Sequence, residues 1–303
     1  MDLRGRVIGS VLGLALGDAL GAPFHGRRAH QVPHPFPEFD LPWMGFPPGA
    51  TTNATAMARS LVGSLIDRDG FDADDLRRRH VRWLATDPPD LDNITRIVLA
   101  GIRDGDPGAA RAYVDRRGPE VSGGNGSVRY CAPLGVAYAW DPAALAIHAP
   151  ALSAITHWDE RCRTACLAVT FVAAALTRGE PCDRAMVGAV EAVAGLGGAE
   201  ELEYLVGEAG RARPIDGPDM GFALFAAGIA LQVAGEGLGF EGGLRRVVSA
   251  GGDADTNAAV AGALLGALHG VENLPGAWLQ RLEDRRAIEG EARRLAELSE
   301  RIA

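Results

Sequence analysis

The stretch Ala258-Ala259-Val260-Ala261-Gly262-Ala263-Leu264-Leu265-Gly266-Ala267 decides the fold of this chain. Its residues are apolar or small, and a helix with so little side-chain bulk can approach its neighbours closely. We therefore expect it to pack near the centre of a multi-helix globule. Apolar residues at three- and four-residue spacing predict helices along the whole chain, over residues 4–20, 54–67, 73–85, 91–102, 108–115, 129–139, 143–149, 162–177, 183–194, 200–209, 221–233, 241–249, 256–269 and 275–283.

The order of these segments indicates one all-α domain over residues 1–303. No segment shows the apolar and polar alternation of a strand, and Gly and Pro mark nearly every helix boundary. A Ser-rich or charged linker of any length is missing from the sequence. Residues 21–51 form the longest irregular stretch, and loops of that length in compact domains are usually lids or binding segments.

Composition narrows the class of protein. The 303 residues are 47% hydrophobic, and 30 basic against 39 acidic residues give a net charge of -9. This balance predicts a soluble globular protein without a basic nucleic-acid face, although it leaves room for a local cationic pocket. The apolar runs 165–176 and 258–268 are shorter than the roughly 20 residues of a membrane span, so we expect no membrane contact.

Four cysteines occur in the chain, and none forms a CxxC pair. Since the N-terminal residues also lack a secretory leader, we expect a reduced, cytoplasmic protein. Cys162 and Cys166 are one helical turn apart, but no His or Cys stands nearby in sequence to complete a tetrahedral metal site. Core packing is the expected role of the cysteines.

The motif Gly251-Gly252-Asp253-Ala254-Asp255-Thr256 carries the clearest chemistry. It places two carboxylates and a hydroxyl at the junction of a glycine turn and a predicted helix. Helix capping explains one such residue. Two Asp and a Thr exceed what capping needs, and hard oxygen donors are the ligands that Mg²⁺ or Ca²⁺ prefers. The motif therefore predicts a ligand or metal site.

Three further segments are each weak when taken alone. The first predicted helix ends on Gly17-Asp18-Ala19-Leu20-Gly21-Ala22-Pro23. A glycine-rich loop, Gly123-Gly124-Asn125-Gly126-Ser127 followed by Arg129, is either a simple turn or a cradle for phosphate or ribose oxygens. Thr156-His157-Trp158-Asp159 precedes a long helix, and His157 is either a ligand or a capping or surface histidine.

Together, in this order, these segments resemble the ADP-ribosylglycohydrolase family, of the dinitrogenase reductase-activating type. The resemblance covers essentially the whole chain and includes Thr52-Asn53-Ala54-Thr55, Gly221-Phe222-Ala223-Leu224, Leu274-Pro275 and Trp278. It implies an orthogonal all-α bundle. It also implies hydrolysis of the N- or O-glycosidic bond at C1″ of ADP-ribose attached to protein, nucleic acid or a small acceptor, with a binuclear Mg²⁺ or Mn²⁺ centre.

Some of the family's site residues are matched in this chain and others are not. The resemblance implies metal ligands at Thr52, Asp253, Asp255 and Thr256. It implies substrate-binding residues at Asn53, Gly123, Gly124, Asn125, Gly126, Ser127 and His157. The family pattern Thr-Asp-Asp-Thr loses both carboxylates here, at Asn53 and Ala54, and the family's Glu after the Gly-Ala-Pro turn is replaced by Phe24 and His25.

These departures limit the metal centre. Two divalent ions bridged by so few anions would repel each other with little compensation. We therefore expect at most one Mg²⁺ or Mn²⁺ ion, held by Asp253 and Asp255 with Thr52, Thr256 and the Asn53 amide, or a metal-free site. In the metal-free alternative one Asp acts directly, and His25 serves as acid or base near neutral pH.

Two functions of different class follow. The first is hydrolysis of the N-glycosidic bond of an ADP-ribosylated protein or a small ribosylated molecule, with Asp253, Asp255 and His25 as catalytic residues. The second is a non-catalytic protein that binds ADP-ribose or a nucleotide. The motif at 251–256 keeps both aspartates and both glycines, which favours a ligand-binding site under either hypothesis.

Overall fold

The structure is a computed structural model that describes residues 2–36 and 38–302. Within these residues the chain forms fifteen α-helices and several single 3-10 turns, and only isolated β-bridges occur. The predicted all-α fold is confirmed. The helices are α1 Leu3–Gly21, α2 Asn53–Arg68, α3 Ala73–Leu84, α4 Asn93–Arg103, α5 Ala109–Arg117, α6 Ala132–Ala137, α7 Pro142–Ser153, α8 Glu160–Thr177, α9 Cys182–Val193, α10 Ala199–Val206, α11 Ala223–Gly235, α12 Phe240–Ser249, α13 Ala254–His269, α14 Gly276–Arg281 and α15 Arg285–Ile302.

Helices α1 and α13 pack against each other along their length at the centre of the molecule. Residues 254–267 of α13 are all buried. A Cβ atom on Gly13 would overlap the carbonyl oxygen of Gly262, and one on Gly17 would overlap the carbonyl oxygen of Ala258. The two backbones are therefore in direct contact, and the central position predicted for the small-residue helix is confirmed.

A buried cluster of apolar side chains joins elements from α1 to α15. Cys131, Cys162 and Cys166 lie in this cluster as free thiols, which agrees with the packing role expected for them. One domain over residues 1–303 stays a prediction.

The apolar segment Leu3–Phe24 is long and apolar enough to cross a membrane by length and composition. The apolar runs considered in the sequence analysis did not include it. In the structure 94% of its most apolar window is buried among the other helices, which is the pattern of a core helix.

Helix α15 has no counterpart among the helices predicted from the sequence. It is rich in Arg and Glu, and these charges obscure a buried stripe of Ile288, Ala292 and Leu295 that continues to Ser299. All four residues are buried at spacings of three and four, and the Ser299 hydroxyl donates to the carbonyl oxygen of Val136 at 2.8 Å. The periodicity alone, counted without regard to net polarity, would have found this helix.

The junction of α1 and α2 depends on Asp18, which is fully buried. Its carboxylate accepts hydrogen bonds from the backbone N–H and hydroxyl groups of both Thr52 and Thr55. Burial raises the pKa of Asp18 to about 7, although the bonds from the two threonines act in the opposite direction. These four bonds fix the start of α2, where Asn53 stands.

We predict that Gly17→Ala destabilises the protein, because the new methyl group would force α1 away from α13. Overpacking of this kind costs about 1–3 kcal/mol and sometimes more. The matched control is Gly290→Ala at an exposed position of α15, where a Cβ atom meets nothing within 4 Å. That change should stabilise the helix by roughly 0.5–1 kcal/mol. Urea unfolding measures both, and equal effects of the two variants would contradict the backbone contact.

A second prediction concerns His80, which packs edge-on against Tyr130 and has no hydrogen-bond partner for either ring nitrogen within the described residues. Burial lowers the pKa of His80 to about 3. In the unfolded chain His80 has a pKa of about 6.5, so below that pH it binds a proton that it does not bind in the folded protein. The free energy of unfolding therefore falls as the pH drops from about 6.5 toward 3. His80→Phe should therefore lose less stability than the unmodified protein between pH 7 and 4.5. Parallel pH profiles in thermal melts would contradict this.

Candidate active site

Seven segments converge on one cavity of about 470 Å³. This size is within the usual range of small-molecule pockets. The lining comes from the loop between α1 and α2, the start of α2, the turn before α4, the glycine-rich loop, the turn before α8, the turn before α11 and the start of α13. The predicted site residues that line it are His25, Asn53, Gly124, Asn125, Gly126, His157, Asp253, Asp255 and Thr256.

Asp253 and Asp255 form the acidic part of the cavity, and both are buried. Asp253 stands immediately before α13, but its side chain accepts no capping hydrogen bond from that helix. Its Oδ2 atom instead accepts a hydrogen bond from the Asn125 side-chain amide at 2.7 Å. The capping interpretation of Asp253 therefore fails, and the carboxylate is turned toward the cavity.

His25 lies directly against this acidic pair. Its Nδ1 atom is 2.6 Å from Oδ1 of Asp255 and 3.2 Å from Oδ1 of Asp253. The backbone holds it there, because Gly26 N–H donates to the carbonyl of Gly252 and Gly252 N–H donates to the carbonyl of Arg27, each at 2.8 Å. The end of the α1 exit is thus tied to the residue that precedes Asp253.

The charges of the three groups are interdependent. Hydrogen bonds that His25 donates to Asp253 and Asp255 raise its pKa to about 11, against the effect of burial. Burial opposes ionisation of Asp253, but the hydrogen bond and charge of His25 hold its pKa below the usual range. Burial and the neighbouring Asp253 charge raise the pKa of Asp255. Without a metal, the cluster therefore holds an imidazolium at neutral pH.

The front half of the cavity contains Asn53 where the family pattern has a carboxylate. The guanidinium of Arg129 donates to Oδ1 of Asn53 and, at 2.7 Å, to Oδ2 of Asp92. Asn53 in turn donates from its side-chain amide to the carbonyl of Asp90 at 2.7 Å, and from its backbone N–H to the Asp90 carboxylate. The amide oxygen is therefore already bound to a buried cation.

Three predicted site residues do not line this cavity. The Thr52 hydroxyl donates to Asp18, and the neighbouring Ala54 offers only a buried methyl group. The Ser127 hydroxyl lies 2.9 Å from that of Ser153 inside the core. Gly123 lies in an adjoining groove that is lined with Arg161 and Phe222. For these residues the packing of the local helices and loops sets the side-chain direction. The sequence motif does not reveal this packing.

The glycine-rich loop wraps around the imidazole of His157. A Cβ atom on Gly126 would overlap this ring, so only glycine allows the approach. Nδ1 of His157 is 2.9 Å from the Thr156 hydroxyl, whereas Nε2 is buried and has no hydrogen-bond partner in the described part of the chain. Burial lowers the pKa of His157 to about 4. His157 thus places a neutral imidazole against the glycine-rich loop in the wall of the cavity.

Sequence reasoning missed several lining residues, including Asp90, Asp92, Trp43 and Met44. Asp92 caps α4 by accepting a hydrogen bond from the Thr95 N–H at 2.8 Å. The Asp-Leu-Asp spacing at 90–92 repeats the Asp-Ala-Asp spacing at 253–255, and this repeat was the available signal. Trp43 and Met44 carried no signal beyond their place in the longest loop.

One group of residues in the cavity has the donor atoms of a metal site. Nδ1 of His25 and one oxygen each from Asp253 and Asp255 lie within 4.8 Å of one another, and Oδ1 of Asp253 is buried without a hydrogen-bond partner among the described residues. This group can hold one ion. A second ion would need oxygen donors at Asn53 and Ala54, where the structure has an amide bound to Arg129 and a methyl group.

Comparison with known proteins agrees with this geometry. The chain is 30% identical over 303 residues to the ADP-ribosyl-[dinitrogen reductase] glycohydrolase of Rhodospirillum rubrum, covering 97% of this chain and 95% of that protein. It is 28% identical over 307 residues to an uncharacterized protein of Archaeoglobus fulgidus, covering 96% of each chain. A solved ADP-ribosylglycohydrolase-related protein complex superposes with a TM-score of 0.82 at 32% identity, over 98% of this chain and 99% of that one.

The family model for ADP-ribosylglycohydrolases matches residues 1–302. The orthogonal helix bundle expected from the motifs is therefore confirmed in sequence and in structure. Hydrolysis of ADP-ribosyl linkages is the activity that this assignment supports. This chain belongs to the ADP-ribosylglycohydrolase family.

Proposed function

We propose that this protein hydrolyses the N-glycosidic bond between C1″ of an ADP-ribosyl group and a nitrogen acceptor, with one divalent ion at most. One observation carries the proposal. The acidic pair Asp253 and Asp255 shares a cavity with His157 and with the glycine-rich loop. A group that stabilises positive charge thus lies beside groups suited to phosphate and ribose oxygens.

The reaction needs support for an anomeric carbon with developing positive charge, a positioned water and a proton for the leaving nitrogen. Asp255 and Asp253 provide fixed negative charge for that carbon, and Asn125 keeps Asp253 oriented. As water oxygen attacks C1″, the electron pair of the C1″–N bond moves to the nitrogen. The proton that leaves the water passes to a carboxylate and then to the departing amine or guanidine.

The glycine-rich loop and His157 suit the diphosphate. Gly124 and Gly126 allow backbone N–H groups to approach a ligand closely. His157 supplies a neutral imidazole, and the buried guanidinium of Arg129 supplies positive charge in the cavity wall. Because Arg129 is already bound to Asp92 and Asn53, we assign it an electrostatic role and not a direct contact.

Of the two roles expected for His25 in a metal-free site, acid or base, the acid role fits its position between the carboxylates. A histidine held between two carboxylates stays protonated at neutral pH, so it does not act as the base in a metal-free site. Asp255 is the better proton acceptor, because burial and Asp253 raise its pKa. A divalent ion bound by this cluster would polarise a ribose hydroxyl or a water molecule, which is the usual contribution of a Lewis acid.

The proposed substrate is an ADP-ribosylated protein or a small ribosylated molecule. The name of the Rhodospirillum rubrum relative specifies dinitrogen reductase, whereas the identity of the acceptor here is open to test. A second groove adjoins the cavity at Gly124 and Gly221, and its walls carry Arg161, Arg213, Glu201 and Asp219. This mixed-charge groove gives an acceptor room beside the ribose. Cytoplasmic location stays a prediction, and so does the absence of nucleic-acid and membrane partners.

The alternative is a protein that binds ADP-ribose without turnover. The pairing of Arg129 with Asn53, in place of a carboxylate and a metal ion, favours this reading. Oδ1 of Asp253 faces Nδ1 of His25 at 3.2 Å without a well-aligned hydrogen bond, and a carboxylate oxygen that can still act on a ligand favours catalysis.

We predict that Asp255→Asn lowers kcat by roughly 100-fold or more, the order seen when a charge-stabilising group is removed, while ADP-ribose affinity changes little. The reason is that this carboxylate acts on charge that develops only in the transition state. Asp115→Asn on exposed α5 is the matched control and should be neutral. Single-turnover kinetics and calorimetry separate the two effects. Equal losses of rate and affinity would make Asp255 a general binding residue.

Turnover itself is tested with an ADP-ribosylated arginine peptide and an ADP-ribosylated small guanidine, with release of ADP-ribose followed by chromatography. We expect release from at least one of them between about pH 5 and 9, a range in which unperturbed carboxyl groups are ionised. Tight binding of ADP-ribose without release at any pH in this range would establish the binding protein instead.

A further inference from the structure

We propose that His25 is a metal ligand, and that it turns the back half of this cavity into a single-ion site with one nitrogen and two carboxylate donors. Such a site should favour a first-row transition ion over Mg²⁺. The inference rests on the proposed function, because the ion would lie beside the ribose in the same cavity. It concerns the identity of the ion and its ligands, and it can fail independently of hydrolysis.

The first argument is the position of the three donor atoms. Nδ1 of His25 faces Oδ1 of Asp255 at 2.6 Å and Oδ1 of Asp253 at 3.2 Å. Metal–ligand bonds of about 2.1 Å at right angles place neighbouring donors roughly 3 Å apart. Both distances from His25 are within a few tenths of an ångström of that value, and the three donor atoms all lie within 4.8 Å of one another.

The second argument is that the donors are fixed by other groups. Asn125 binds one oxygen of Asp253 and leaves Oδ1, which is buried, without a hydrogen-bond partner among the described residues. His25 is held by the paired backbone bonds that join Gly26 and Arg27 to Gly252. Groups that orient ligands in this way are typical of metal sites. An unsatisfied carboxylate oxygen aimed at an imidazole nitrogen is a position that a cation would complete.

The third argument is the chemistry of the donor set. Mg²⁺ takes oxygen ligands in near-octahedral geometry and keeps several waters, whereas imidazole suits Zn²⁺, Co²⁺ and similar ions. His25 adds an imidazole nitrogen to the two carboxylates of this donor group. This nitrogen donor should therefore shift the preference from Mg²⁺ toward transition ions.

The front half explains why a second ion is not expected. The Asn53 oxygen that would face a second ion accepts a hydrogen bond from the Arg129 guanidinium, which is itself buried. A divalent ion at that place would lie against a fixed positive charge in a region of low dielectric constant. The cavity thus has one cation position at the back and an organic cation at the front.

The test is pulsed electron paramagnetic resonance of the full chain loaded with Mn²⁺. A directly bound imidazole gives a ¹⁴N coupling on the Mn²⁺ spin echo, which oxygen ligands do not. We expect the coupling in the unmodified protein and in His157→Gln, which removes the other imidazole of the cavity. We expect its loss in His25→Glu, which keeps a donor but replaces nitrogen with oxygen. His25→Gln serves the same purpose if His25→Glu fails to fold by circular dichroism.

Calorimetry with each metal alone supplies the second readout. The ratio of Zn²⁺ to Mg²⁺ affinity should fall at least tenfold from the unmodified protein to His25→Glu. The double variant Asn53→Asp with Ala54→Asp should raise Mn²⁺ affinity without removing the nitrogen coupling. Mn²⁺ bound without ¹⁴N coupling, two tight sites in the unmodified protein, or no binding of any divalent ion would each overturn the proposal. None of these outcomes depends on whether ADP-ribose is released.

Discussion

The direct backbone contact between α1 and α13 is the constraint on which the site depends. A Cβ atom on Gly21, the last residue of α1, would overlap the carbonyl oxygen of Ala254 and the Cα atom of Asp255. The exit of the first helix therefore lies directly on the start of the thirteenth. His25 follows Gly21 by four residues, so this contact alone brings it close to the two aspartates. The small residues of both helices are thus a requirement of the site as well as of the core.

Charge in the cavity follows from the same arrangement. Asp253, Asp255, Asp90 and Asp92 place four carboxylates around one pocket, and the first two form one donor group with His25. Asp90 accepts a backbone hydrogen bond at the start of α2, and Asp92 binds Arg129. Two of the four carboxylates therefore also hold the local structure together. We propose that this division limits the cavity to one ion.

Much of this could be read from the sequence, and the limits have identifiable causes. The small-residue pattern at 258–267 predicted the central helix, and the ordered motifs predicted the family. The charged surface of α15 concealed its apolar stripe, and a motif cannot state the direction of a side chain. Ser127 belongs to the glycine-rich motif but points into the core, and Thr52 serves Asp18. The contact of Arg129 with Asn53 joins residues 76 positions apart, which no local spacing could reveal.

The central claim is that one cation position, at the back of the cavity, serves a ribose held by the glycine-rich loop. The most direct test is an anomalous diffraction map of crystals soaked with Mn²⁺ and ADP-ribose. The account predicts one anomalous peak, in contact with His25, Asp253 and Asp255, with the ribose between it and His157. A second peak beside Asn53, or ADP-ribose bound away from the aspartates, would contradict it.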